Sequence, residues 1–149
     1  MSKKISIFLA SVIFIVIIIA AGCSAGVDEG VISFADSAAE ECLIALNNKD
    51  YDSYRHNMDN AMLEAVPEQE FVKFYSYLEN TIGQYVPGSK NYSQSRIQSG
   101  INVVIYEADY TEETEKVKIS IAVSESEEGK YQVSGTWFDS PKLRETEYK

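Results

Sequence analysis

The sequence predicts an α+β domain, with helices first and an antiparallel sheet after them. Three observations carry this. Apolar residues recur at helical spacing from Val31 to Ile82. The period changes after Gly83-Gln84, where a Pro87-Gly88 turn signal follows. Beyond it, Val117, Ile119, Ile121 and Val123 alternate with Lys118, Ser120, Ala122 and Ser124, the period of two that marks a half-buried strand. Helices segregated from strands indicate α+β rather than α/β.

The first helix is predicted over about 31–47. Val31, Ala35, Ala38, Cys42, Ala45 and Leu46 form one stripe, and Asp36, Glu40 and Glu41 lie off it. Asn47-Asn48 reads as the break. Asp50 can cap a second, short helix on which Tyr51, Tyr54 and Met58 share a face. A further turn covers Ala61 to Ala65. Pro67 suits a first helical position, with Glu68 and Glu70 at the positive helix end. Phe71, Phe74, Tyr75, Leu78 and Ile82 then give a strong stripe, closed by Gly83.

Four strands are expected: Tyr92–Gln98, Ile101–Tyr110, the alternating run from Val117, and Tyr131–Phe138 with Tyr131, Val133, Gly135 and Trp137 on one face. The connections at Glu112-Glu113-Thr114 and Glu125 to Gly129 are short and polar, as hairpin turns are. The end of the chain, 142–149, is charged and is expected to fray.

The N-terminus carries an address. Lys3 and Lys4 precede an apolar run from Ile5 to Ala21, which ends in Ala20-Ala21-Gly22 directly before Cys23. A charged start, an apolar stretch and a small-residue cleavage site make a secretory signal. With Cys23 following, the segment resembles the lipobox of prokaryotic lipoproteins, although Leu is commoner than Ala at the place of Ala20. That resemblance implies cleavage after Gly22 and a diacylglycerol on the Cys23 thiol. The chain would then sit at the outer face of the cell membrane, held by lipid. The alternative is an uncleaved single-pass helix, roughly 25 Å long over Ile5–Ala21 at about 1.5 Å per residue. The organisation expected is a signal at 1–22, lipidated Cys and tether at 23–30, an α+β domain at 31–138 and a charged tail at 139–149.

Cleavage before Cys23 leaves 127 of the 149 residues, one domain's worth. It also removes two of 13 basic residues, leaving 11 against 23 acidic ones and a net charge of −12. So acidic a surface excludes nucleic acid as a partner. Of the two cysteines, only Cys42 remains for the domain, and its place on an apolar stripe predicts a small buried hydrophobe.

The order of elements resembles the cystatin-like, or nuclear-transport-factor-2-like, fold. The residues that carry it are Ala45-Leu46-Asn47-Asn48-Lys49-Asp50-Tyr51 entering the second helix, the Phe71–Leu78 helix leading to Ile82-Gly83-Gln84, and Trp137-Phe138 closing the sheet. The resemblance spans about 31–138. It implies N-terminal helices packed on a curved antiparallel β-sheet whose hollow can enclose a pocket, lined here by Tyr106 and Trp137. Ketosteroid isomerase has this general fold, with an Asp base and a Tyr in its oxyanion hole. Tyr54, His56 and Asp109 are the residues from which a similar acid–base set could be drawn.

Bland readings compete with each. His56 lies in a polar stretch, Asp109 near a turn, and tyrosines on half-buried strands ordinarily pack their rings. One His and no Cys-x-x-Cys imply no metal, and no Gly-rich phosphate loop or Gly-x-Ser-x-Gly is present. No cofactor is implied. The expectation is a lipid-anchored extracytoplasmic module that binds a small ligand or a protein partner and performs no catalysis. Its alternatives are a small pocket enzyme of the same fold and an accessory subunit on an uncleaved transmembrane helix.

Overall fold

The computed structural model describes residues 26–148. The signal at 1–22, the cleavage residues Ala20, Ala21 and Gly22, the lipid-attachment Cys23 and most of the tether lie outside the described residues. Among the described residues no helix is long and apolar enough to cross a membrane.

Among the described residues, four helices precede a four-stranded antiparallel sheet and one short helix follows it. Helix α1 (Glu29–Asn48) starts where Asp28 accepts a hydrogen bond from the Gly30 N–H at 2.8 Å. Such a side-chain acceptor satisfies one of the N–H groups that a helix start leaves unpaired. The expected stripe is buried along its whole length, joined by Ala39 and Leu43. Lys49 ends the helix in the left-handed region, φ 58°. Asp50 and Asp59 cap α2 (Tyr51–Arg55) and α3 (Asn60–Ala65) in the same way, accepting from Ser53 and Met62 at 3.1 and 2.9 Å. Helix α4 (Glu68–Ile82) follows Pro67 and buries Phe71, Leu78 and Ile82.

Asn47-Asn48 ends α1 as expected, with Asn47 in its last turn. Asn47 turns its amide onto a distant segment. Its Nδ2 donates to the Tyr85 carbonyl at 2.8 Å, and the Tyr85 N–H donates to its Oδ1 at 3.0 Å. Tyr85 itself bridges Tyr110 beyond the end of the second strand.

The strands are β1 (Asn91–Gln98), β2 (Ile101–Ala108), β3 (Val117–Glu125) and β4 (Tyr131–Asp139), in the spatial order of the sequence. β1 and β2 are joined by Ser99-Gly100 with both φ values positive, 51° and 81°, the two-residue turn whose twist suits a hairpin. Val104, Tyr106, Ile119, Ile121 and Val123 face the helices and are buried. Cys42 lies among them at 6% exposure. Burial pushes its thiol up to about 12.

Two corrections to the expected pattern concern the last strand and the tail. β4 pairs Val133 with Val123 but Gly135 with Ala122, so Ser134 is an extra residue in a bulge. A bulge interrupts the period of two. Val133 therefore faces the helices, and Gly135 and Trp137 turn to the opposite face, where Trp137 is 57% exposed. The charged end does not simply fray. Ser140 caps α5 (Pro141–Glu145), which buries Leu143.

Candidate functional site: a groove along the last strand

Strand β4 is an edge of the sheet. Its free side begins with a closed rung. The Val133 N–H donates to Asn57 O at 2.7 Å, and the Asp59 N–H donates to Val133 O at 2.9 Å. Past this rung, α3 and α4 stand away from the strand. The gap is a groove of about 540 Å³, with Ser134 to Asp139 as one wall and Met62, Val66, Phe74 and Tyr77 as the other. Tyr54 of α2 lies at its base, and α5 and Tyr148 close one end.

The groove is aromatic because the stripe of α4 is wider than the core it covers. Phe71 is consumed in the core, against Tyr51, Tyr54 and Tyr75. Phe74 is only half-buried. It meets Phe138 edge-on, with ring centres 5.4 Å apart, and Tyr148 at 6.3 Å. Tyr77 packs on Tyr148 at 5.1 Å. Its hydroxyl lies 3.1 Å from the Leu143 carbonyl and 3.0 Å from that of Thr146, so it holds the chain end against α4. Burial raises the phenols of Tyr77 and Tyr148 above their ordinary value.

Polar groups are few. Arg144 meets the Asp139 carboxylate with Nε at 2.7 Å and with its terminal nitrogen as well. This two-pronged pairing holds the Asp139 carboxyl below its ordinary range. The Ser134 hydroxyl, in the bulge, is buried and has no hydrogen-bond partner among the described residues. Gly135 is needed for the position of Trp137. A Cβ there would come within 2.5 Å of the indole Cη2.

The candidate residues scatter over the molecule. Tyr54 is 4% exposed, and burial raises its phenol far above the ordinary value. His56 is exposed at the end of α2, in a shallow depression with Glu40 and Asp50, not in the groove. Asp109 sits past the end of β2, paired with Lys116 at 2.7 Å, both about half-exposed. The three do not converge. Trp137 stands at the groove rim, but Tyr106 does not reach it. Tyr106 faces α1, its hydroxyl 3.5 Å from the Ile32 carbonyl and its ring 4.7 Å from the Lys90 ammonium. Among the described residues no three His, Cys, Asp or Glu side chains are grouped to hold a metal ion.

Residues 39–129 match a family described as a protein of unknown function, DUF3887. The chain belongs to this family. The DUF3887 match runs from the middle of α1 to the turn before β4, so β4 and α5, one whole side of the groove, lie beyond it. No curated protein and no solved structure matches the chain.

Proximity in sequence did not reveal the groove residues. Phe74 reads as part of the apolar stripe of α4 and Ala65 as the end of a helical turn, while Tyr77 and Val66 lie on no stripe. One cue was present: a glycine inside a strand pattern, Ser134-Gly135, marks a bulge or a close approach.

Proposed function

We propose that this DUF3887 chain is a binding module without catalysis, held by a lipid on Cys23 at the outer face of the cell membrane. The resemblance to the cystatin-like, nuclear-transport-factor-2-like fold belongs to the same reading. The observation that carries the binding role is the groove beside β4, about 540 Å³ in volume and walled by Phe74, Tyr77, Trp137, Phe138 and Tyr148. Small-ligand and peptide sites have this character, a mostly apolar cleft with a few placed polar groups. Catalysis would need an acid or base in hydrogen-bond reach of a common point. The groove's carboxylate–guanidinium pair, Asp139 and Arg144, is already matched to itself.

The test uses the full-length protein extracted from native membranes. Intact mass is expected to show loss of residues 1–22 and gain of a diacylglycerol, and Cys23→Ser is expected to release the protein from the membrane. Retention of residues 1–22 without lipid refutes the anchor. For binding, Ala65→Arg places a long cation at the groove wall from an exposed position. Trp137, the one tryptophan of the chain, reports on the rim. A neutral apolar fluorescent probe such as N-phenyl-1-naphthylamine is expected to accept energy from Trp137 in the wild type and to lose at least tenfold in affinity in Ala65→Arg. Equal binding to both refutes the groove.

A further inference from the structure

The free side of β4 has a chemistry more specific than apolar lining. Val133 turns its N–H and C=O away from β3, as its bonds to Asn57 and Asp59 demonstrate. It is paired with Val123, and Thr136 and Phe138 are paired with Ile121 and Ile119. These three β3 residues are two apart, so they share one orientation, and in an antiparallel ladder so do their partners. The N–H and C=O of Thr136 and Phe138 therefore also turn outward, into the groove. Among the described residues no backbone bond is made to them from that side. Buried backbone polar groups are ordinarily paired, and a row of unpaired ones on an edge strand is a template for another strand.

The flanks of this edge are made for an occupant. On one side stand Val66, directly after α3, and Phe74 of α4, and on the other the indole of Trp137. The opposite edge of the sheet is different. β1 is exposed along nearly all of its length. Asn57–Asp59 already fill the first rung of β4 in the parallel sense, and the chain then turns away into α3. The rungs beyond are open.

Charge narrows the occupant. The chain carries a formal −10. The groove is lined by Glu70 and Asp139 against Arg144, and the elements that carry its walls also bear Glu64, Glu68, Glu145 and Glu147 against Lys73 and Lys142. Glu70 is matched by Lys73 and Arg144 by Asp139. A second copy would bring the same excess of negative charge to its own β4. A segment carrying Lys or Arg complements it.

We infer that β4 accepts an extended, basic peptide segment of a partner protein as a fifth strand, with alternate apolar side chains directed onto Phe74 on the helix side and the side chains between them passing Trp137 on the opposite face. This rests on the binding reading above and gives it a partner class. Main-chain bonds to Thr136 and Phe138 supply the affinity, and the apolar walls select the side chains, as in other cases of strand addition. The edge from Gly135 to Asp139 spans about 17 Å at roughly 3.4 Å per residue, room for five residues of the incoming strand.

The test selects linear twelve-residue peptides on phage against the full-length protein in detergent micelles, then uses the enriched peptides as synthetic probes. The expected peptides alternate apolar residues with Lys or Arg. They slow amide exchange at Thr136 and Phe138 at least tenfold and leave β1 unchanged. Methylating alternate peptide nitrogens is expected to weaken binding at least tenfold in one register and to leave it unaltered in the other. The proposal is overturned if nothing is enriched, if the enriched peptides are acidic or spaced as helices, if Thr136 and Phe138 are not protected, or if neither methylated register matters. Should the fluorescent probe still bind the wild type and lose affinity in Ala65→Arg while no peptide is selected, the groove stands and strand addition falls.

Discussion

Replacing Asn47 by Ala removes a clip that holds two distant parts of the chain together. The Asn47 amide makes both of its bonds to the backbone of Tyr85, 2.8 Å to the carbonyl and 3.0 Å from the N–H. Tyr85 is 2% exposed. Truncation leaves a donor and an acceptor without partners, at about 1–3 kcal/mol for each group that water cannot reach. Asn47 itself is half-buried, so water recovers part of this, and the expected loss is about 2–4 kcal/mol. Against a typical total of about 5–15 kcal/mol this is large. Urea unfolding followed by far-UV circular dichroism measures it. At a slope of about 2 kcal/mol per molar the midpoint falls by roughly 1–2 M. Asn48→Ala, one residue on and exposed, is the control and is expected to stay within about 0.5 kcal/mol of wild type. Amide exchange at Tyr85 should accelerate only in Asn47→Ala. If Asn47→Ala costs no more than Asn48→Ala, the clip does not bear on stability and the reasoning fails.

Three further outcomes are expected. Gly83→Ala should destabilise by about 3 kcal/mol or more in the same unfolding assay, because φ is 79° and the new Cβ would collide with Thr111 Oγ1 and come within 2.9 Å of the Glu112 backbone nitrogen; an unchanged midpoint contradicts it. Cys42 should resist a thiol-specific disulfide reagent at pH 8 in the native protein and react fully in denaturant, since burial pushes its thiol up to about 12; prompt native reaction contradicts it. The Asp139 carboxyl is held below its ordinary 3.8, first by the hydrogen bond from Arg144. A depressed carboxylate adds stability above its unfolded pKa and loses it as pH falls through the folded one. The pair is exposed, so the gain is under about 1 kcal/mol. Arg144→Met should remove it at neutral pH and flatten the acid limb of the stability–pH curve below 3.8, whereas identical wild-type and variant curves would contradict the pairing.

The helical stripes and the alternation of β3 are legible in the sequence because each reports one face against one core. Val31 to Leu46 needs only the 3.6-residue period, and Val117 to Val123 only the period of two. β4 is misread because the period is broken from within. The extra Ser134 sends Gly135 and Trp137 to the face opposite Val133, and alternation alone cannot register an insertion. Asn47-Asn48 is legible as the end of α1, but the pair of bonds from Asn47 to the Tyr85 backbone spans 38 residues and leaves no mark in the local pattern. The end of the chain reads as a charged tail because its single buried anchor, Leu143, is outnumbered by Lys142, Arg144 and Glu145. The groove is less legible still. Its two walls lie some 60 residues apart, and its most specific groups, the outward N–H and C=O of Thr136 and Phe138, belong to the backbone and leave no mark in residue type.

The groove beside β4 as the binding surface is the central claim, and photo-crosslinking in native membranes tests it most directly. Phe74 is replaced by p-benzoylphenylalanine in the full-length protein, with His56, exposed and away from the groove, replaced likewise as the control. The account predicts a discrete adduct from position 74, absent from position 56 and lost when Ala65→Arg is combined with it. Adducts that are equal at both positions, or that persist in the combined variant, would contradict it.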